Sequence, residues 1–112
     1  MMGKVINFGS GKNDIKAYAV FDGENGSIIE SKNILSLVRL SKGIFEITFN
    51  IPFKNKNYII VGSDVGSTKE GYHSALVSNG VEKKPDKCQF KFVNDNGAVY
   101  DLDCLQVFFI GE

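Results

Sequence analysis

The sequence predicts an all-β fold, an antiparallel β-sandwich, with a small β-barrel as the alternative arrangement of the same strands. Three observations predict it. Turn clusters rich in Gly, Asn and Asp recur along the whole chain: Asp22-Gly23-Glu24-Asn25-Gly26, Ser41-Lys42-Gly43, Asn55-Lys56-Asn57, Gly66 to Gly71, Asn79-Gly80, Lys84-Pro85-Asp86 and Asn94-Asp95-Asn96-Gly97. Between them lie segments of strand length, rich in Phe, Tyr, Ile and Val. No segment sustains a helical period, and no repeat or low-complexity tract interrupts the pattern.

The first strand is expected at Lys16–Asp22, where Ala17, Ala19 and Phe21 face one way and Lys16, Tyr18, Val20 and Asp22 the other. A short strand follows at Ile28–Glu30. Residues Ile34–Leu40 also read as strand. Ile34, Leu37 and Val38 would share a helical face with Asn33 as its cap, but the stretch is short and Gly43 follows closely. Phe45–Ile51 is the clearest strand. Phe45, Ile47, Phe49 and Ile51 alternate with Glu46, Thr48 and Asn50, which makes them the core stripe of a central strand, and Pro52 ends it because proline cannot donate to a ladder. Tyr58–Ser63, Tyr72–Val77, Cys88–Asn94 and Cys104–Ile110 complete the set, with Cys88, Phe90 and Phe92 opposing Gln89 and Lys91. Residues 1–14 are polar and glycine-containing and read as an N-terminal arm or linker, leaving 15–112 as one domain.

The last strand breaks the alternation. Leu105, Val107 and Phe109 lie on one face, Phe108 and Ile110 on the other, so both faces are apolar. An antiparallel sandwich normally leaves one face of each sheet in water. Val107, Phe108, Phe109 and Ile110 are therefore the expected oligomer interface, with residues 1–14 as the alternative cover. Burial of one phenylalanine is worth about 1.5–3 kcal/mol, which sets the scale of the incentive.

The 112 residues suffice for one core, and 43% hydrophobic content with 23% charged residues excludes a disordered tail. Thirteen basic residues balance thirteen acidic ones, which argues against a nucleic-acid binder or adhesion to an anionic membrane. The start lacks a signal peptide, so synthesis in the cytoplasm is expected, and the free thiol is the expected state of both Cys88 and Cys104.

Catalytic constellations are not visible. His73 has Glu70 as its nearest carboxylate, two groups where a zinc site needs more. Cys88 and Cys104 fall among aromatic strand residues, where a thiolate is disfavoured. Gly62 to Ser67 lacks the Lys-Ser/Thr of a phosphate loop. No catalytic residue, metal or cofactor is expected. The candidate ligand contacts are Lys69, Glu70, Tyr72 and His73, polar groups beside the longest glycine-rich loop.

One resemblance adds to this reading. Phe21-Asp22-Gly23, the turn at Ser31 and Asn33, Gly43 followed by Phe45, Ile47 and Phe49, the bend at Pro52, and Asn57-Tyr58 through Gly62 follow one another in a familiar order. A closing Val107-Phe108-Phe109-Ile110-Gly111 completes it. Residues 16–63, and more loosely 104–111, resemble the C-terminal β-sandwich module of bacteriophage and prophage tail-fibre or tail-tip proteins. The resemblance implies a non-enzymatic structural module in a virion or phage-like particle. It further implies a homotrimer that meets a cell-surface glycan or protein receptor through end loops, here residues 64–73 and 79–87. The alternative is an intracellular adaptor that binds another protein along the same apolar strand.

Overall fold

The structure is a computed structural model that describes residues 14–64, 75–77, 83–94 and 102–112. Among these residues eight strands form and no helix: β1 (Ile15–Phe21), β2 (Ile28–Lys32), β3 (Ile34–Ser41), β4 (Ile44–Phe49), β5 (Ile59–Asp64), β6 (Ala75–Val77), β7 (Lys87–Val93) and β8 (Leu105–Ile110). Each lies where the turn signals and alternation predict, including β3, which is a strand and not a helix.

Every ladder is antiparallel, in the order β2-β1-β8-β5-β6-β7-β4-β3. The ladder folds over at β6, which among the described residues meets β5 at Ser63 and Ala75 alone. The result is two packed sheets, β2-β1-β8-β5 and β7-β4-β3. β2 and β3 do not pair with each other, so the fold is a sandwich and not the closed barrel of the alternative.

The core follows from the two-residue period. Ala17, Ala19 and Phe21 of β1 and Leu105, Val107 and Phe109 of β8 face Phe45, Ile47 and Phe49 of β4 and Cys88, Phe90 and Phe92 of β7, all buried. Small alanines on β1 leave room for the rings opposite. Phe21 meets Phe45 edge-on at 5.0 Å between ring centres, with Phe90 and Phe92 beside them. A second group forms around Phe49, which meets Phe109 at 5.0 Å and 90°. Phe53 stacks on Tyr58 at 4.4 Å in the same group. Phe90 and Phe109, 6.3 Å apart, join the two groups. Edge-to-face pairs of this kind each add about 0.5–1.5 kcal/mol beyond area burial.

Two turns show why glycine or asparagine is needed. Gly43, with φ 70°, closes the two-residue hairpin between β3 and β4. Asn33 is the single residue between β2 and β3, and it adopts φ 58°. That left-handed conformation carries the chain from one sheet to the other. Its side chain then clamps the opposite strand end. Ile51 N donates to Asn33 Oδ1 at 2.6 Å and Asn33 Nδ2 donates to Ile51 O at 3.0 Å. Asn50 N donates to Asn33 O at 3.1 Å.

This clamp corrects the expected end of the fourth strand. β4 stops at Phe49, and Ile51 is 61% exposed instead of extending the core stripe. The backbone of Asn50 and Ile51 pairs with Asn33 and leaves the ladder before Pro52 is reached; Pro52 contributes its carbonyl to Lys16 Nζ at 2.8 Å. Phe53 takes the core position instead.

Asn33→Ala removes both amide bonds to Ile51 and places a Cβ without a local hydrogen bond in the left-handed region. The expected cost is roughly 2–3 kcal/mol, and Asn33→Gly is expected to recover the conformational part of it. Urea denaturation of the two variants beside the wild type checks both; equal losses would show that the φ angle contributes nothing.

Candidate functional site

β8 lies in the middle of the four-stranded sheet, with β1 on one side and β5 on the other. Phe109 and Val107 point inward and are buried within a single chain, which removes both from the expected oligomer interface. Because successive strand residues point to opposite faces, Phe108 and Ile110 are turned outward.

The register aligns apolar neighbours with them. One row across the outer face is Ile15, Ile110 and Ile59. The next is Lys32, Tyr18, Phe108 and Val61. The third is Glu30, Val20, Gln106 and Ser63, in which Gln106 Nε2 donates to Ser63 Oγ at 2.9 Å. A bulge between Ile15 and Ala17 carries Ile15 onto this face in spite of its place in the alternation. Ile59 is 58% exposed, Ile15 48% and Val61 40%. A shallow apolar depression of about 250 Å³ runs over Ile15, Tyr18, Val20 and Phe108.

The outer face of the other sheet is mixed, more polar on β4 and β7 than on β3. Its rows are Ser36-Thr48-Lys87 and Val38-Glu46-Gln89, with Ser41, Ile44 and Lys91 at the end. Gln89 Nε2 donates to Glu46 Oε2 at 2.8 Å. One sheet therefore carries an apolar outer face of seven large side chains on three adjacent strands, while the other sets polar and charged groups on β4 and β7 beside exposed Leu35, Val38 and Leu40 on its edge strand β3. Single exposed apolar residues are ordinary on protein surfaces, whereas a contiguous patch marks a contact site.

The titratable groups of the interior are sealed. Tyr58 is buried, and its hydroxyl donates to Lys84 O at 2.6 Å with Lys87 O at 3.2 Å. Burial, and next the neighbouring Cys88, raise its pKa well above the usual phenol range. Burial pushes the Cys88 thiol up to about 11, partly offset by its contact with Tyr58 and the charge of Lys83. Cys88 donates to Gln89 O at 3.4 Å and stays a protonated thiol at neutral pH. Cys104 is also a free thiol, half-buried just ahead of β8 instead of inside it as expected. Among the described residues no three His, Cys, Asp or Glu side chains gather as a metal site requires, and no helix is long and apolar enough to cross a membrane.

Two clefts open at the Asn33 end of the sandwich. The larger, about 620 Å³, is lined by Asp14, Lys16, Lys32, Asn33 and Glu112 among others. Its two lysines are committed to the fold, since Lys16 Nζ donates to Pro52 O and Lys32 Nζ to Ile15 O at 3.0 Å. The smaller, about 310 Å³, lies against Phe53, Tyr58 and Ile59.

The candidate ligand residues Lys69, Glu70, Tyr72 and His73 lie outside the described residues. Of the four interface candidates the fold turns two outward, Phe108 and Ile110, beside Ile15, Tyr18, Val20, Ile59 and Val61. Alternation alone placed Tyr18 and Val20 away from the core. Their adjacency to Phe108 depends on strand register, which sequence spacing does not encode.

Compared with known protein families, with curated proteins and with solved structures, the chain matches none.

The Cys88 shift has a consequence for stability. An unfolded thiol titrates near 9, the folded one near 11. The folded state therefore holds a proton that the unfolded state loses across this window. Stability is intact below about pH 9 and declines as the pH rises toward 11, by roughly 2 kcal/mol for this group. Urea midpoints at neutral pH and at the upper end of the window are expected to drop further apart in the wild type than in Cys88→Ala. Identical drops would remove the thiol from the account.

Proposed function

We propose that this chain is a non-enzymatic tail or fibre module of a phage or prophage-derived particle, and that it works by docking through the outer face of the β2-β1-β8-β5 sheet. The outer face of this sheet carries the reading: half-buried Tyr18, Phe108 and Ile110 join exposed Ile15, Ile59 and Val61 in one apolar area across three adjacent strands, while on the other sheet Lys87, Gln89, Lys91, Glu46 and Thr48 occupy β7 and β4 and the exposed apolar side chains Leu35, Val38 and Leu40 are confined to the edge strand β3. A catalyst needs polar groups converging in a recess. The large apolar area here is spread over a nearly open surface, the form a packing contact takes.

The likeness of residues 16–63 to phage tail modules supplies the biological setting, and a β-sandwich suits that setting. In such a particle the face would be covered on assembly, and end loops would remain free to meet a host surface. An adaptor that serves a cellular protein would use the same face, so the setting is what the experiment must decide.

Particles purified on a density gradient from cells that express the chain with its neighbouring genes provide the test. The wild-type chain is expected to sediment with the particles. Phe108→Lys is expected to stay at the top of the gradient as a folded, free protein, whereas Gln89→Lys on the polar face is expected to assemble normally. A wild-type chain that never enters particles would overturn the tail or fibre reading.

A further inference from the structure

We propose that Asn25, at the tip of the β1–β2 hairpin, is a site of spontaneous covalent modification. Its side-chain amide is lost as ammonia, and part of the product carries the backbone through the former side chain as isoaspartate. That product releases the loop that ties the two sheets together on the side where β2 and β3 lie.

The residues are arranged for this chemistry. Asn25 is exposed and precedes Gly26, so no side chain shields the amide nitrogen that must attack. Ser27 N donates to Asn25 Oδ1 at 2.7 Å. Attack on Cγ puts negative charge on that oxygen, and a donor already aimed at it lowers the barrier. Gly26 N gives its proton to hydroxide and bonds to Asn25 Cγ. The Cγ–Nδ2 bond then breaks, and the nitrogen leaves as ammonia with a proton taken from water, which returns the hydroxide. The five-membered imide takes up one water. Opening at one carbonyl gives aspartate; opening at the other gives isoaspartate, whose backbone is longer by one methylene. One bond restrains the reaction. Gly26 N donates to Asp22 O at 2.7 Å and must let go before it attacks, but this bond lies at the hairpin tip, where fraying begins.

The rest of the chain supplies comparisons. Asn55 makes the same turn, with Asn57 N donating to its Oδ1 at 2.8 Å, but Lys56 follows and its side chain crowds the nucleophile. Asn33 precedes Ile34, and its amide is held at both ends by Ile51. Among the described residues Asn25 alone combines a following glycine with a donor on Oδ1.

The consequence follows from what the loop touches. Gly26 lies against β3, so that a Cβ there would sit 3.3 Å from Arg39 N and 3.4 Å from Leu37 Cδ2. Gly23, in the same loop, lies against Leu102 and Leu105. An added methylene at position 25 moves Gly26 out of its φ of 78° and away from β3, and it breaks the bonds that Asp22 makes to Gly26 and Ser27. Aspartate does neither, since its carboxylate accepts from Ser27 N as the amide did.

The test uses the full chain carrying Asn79→Gln and Asn96→Gln, so that the two Asn-Gly pairs outside the described residues contribute nothing. The chain is held at physiological temperature at neutral and mildly alkaline pH, and its peptides are mapped by mass spectrometry. Position 25 is expected to gain one mass unit at least about tenfold faster than position 55, and faster at alkaline pH because the amide must lose a proton. Asn25→Gln, whose ring would need one more atom, is expected to keep its mass there. The two isomers are then separated as intact chains. The isoaspartate form is expected to unfold at lower urea than the unmodified chain, and the aspartate form, like freshly made Asn25→Asp, at the same urea. Conversion at position 25 no faster than at 55 would overturn the site. An isoaspartate form as stable as the unmodified chain would overturn the release of the loop.

Discussion

Successive residues of a strand cannot share a face, and this constraint governs both the stability of the molecule and its surface. Phe109 sits where the two aromatic groups meet, against Phe49 on one side and Phe90 on the other. Once Phe109 is fixed there, Phe108 and Ile110 have nowhere to go but the outer face. β8 is also an interior strand of its sheet, so the outward pair cannot turn aside at an edge; β1 and β5 hold it from both sides. An exposed apolar face is thus the direct counterpart of a central strand written with consecutive large residues. The chain had the means to avoid it, since β7 alternates Cys88, Phe90 and Phe92 with Lys87, Gln89 and Lys91 and presents a polar back.

Much of this was legible before any coordinates. The eight strands announce themselves because turn residues separate them and because inward and outward side chains alternate with a period that packing reinforces. Where reading failed, features that residue spacing does not encode were responsible. Ile51 fits the stripe begun by Phe45, yet the Asn33 amide, 18 positions away, takes its backbone and turns it to solvent. Ile15 lies ahead of the strand expected at Lys16–Asp22, yet it opens β1, and a bulge throws it outward. The candidate face lay half in view. Phe108 and Ile110 could be named from β8 alone, but Tyr18, Val61 and Ile59 joined them only through registers that depend on which strands pair.

Asn33 has a role that neither glycine nor another polar residue duplicates. A single residue must reverse the chain from one sheet to the other, which demands a left-handed φ that asparagine tolerates. The same residue must satisfy the backbone of Ile51, which has left the ladder and has no strand partner. The side-chain amide offers one donor and one acceptor in a plane, as a peptide unit does, and so stands in for the missing ladder residue. The corner and the early end of β4 are two results of one residue.

Among the described residues β2 and β3 end the strand order, and these edges bear on how an apolar face can be tolerated. A sheet with free edges and a greasy face risks growth in two directions, by strand addition and by stacking. β2 places Glu30 and Lys32 on its short length, and β3 is interrupted by two bulges, between Ile34 and Ser36 and between Arg39 and Ser41. Charges and bulges both discourage a neighbouring chain from extending a ladder. With the edges so guarded, the contact left open to another molecule is the face of the sheet, which a single partner can cover. Strand addition can propagate from edge to edge, whereas a covered face leaves nothing further to extend, so guarded edges let a small neutral domain keep Ile59 and Val61 exposed without proceeding to fibres.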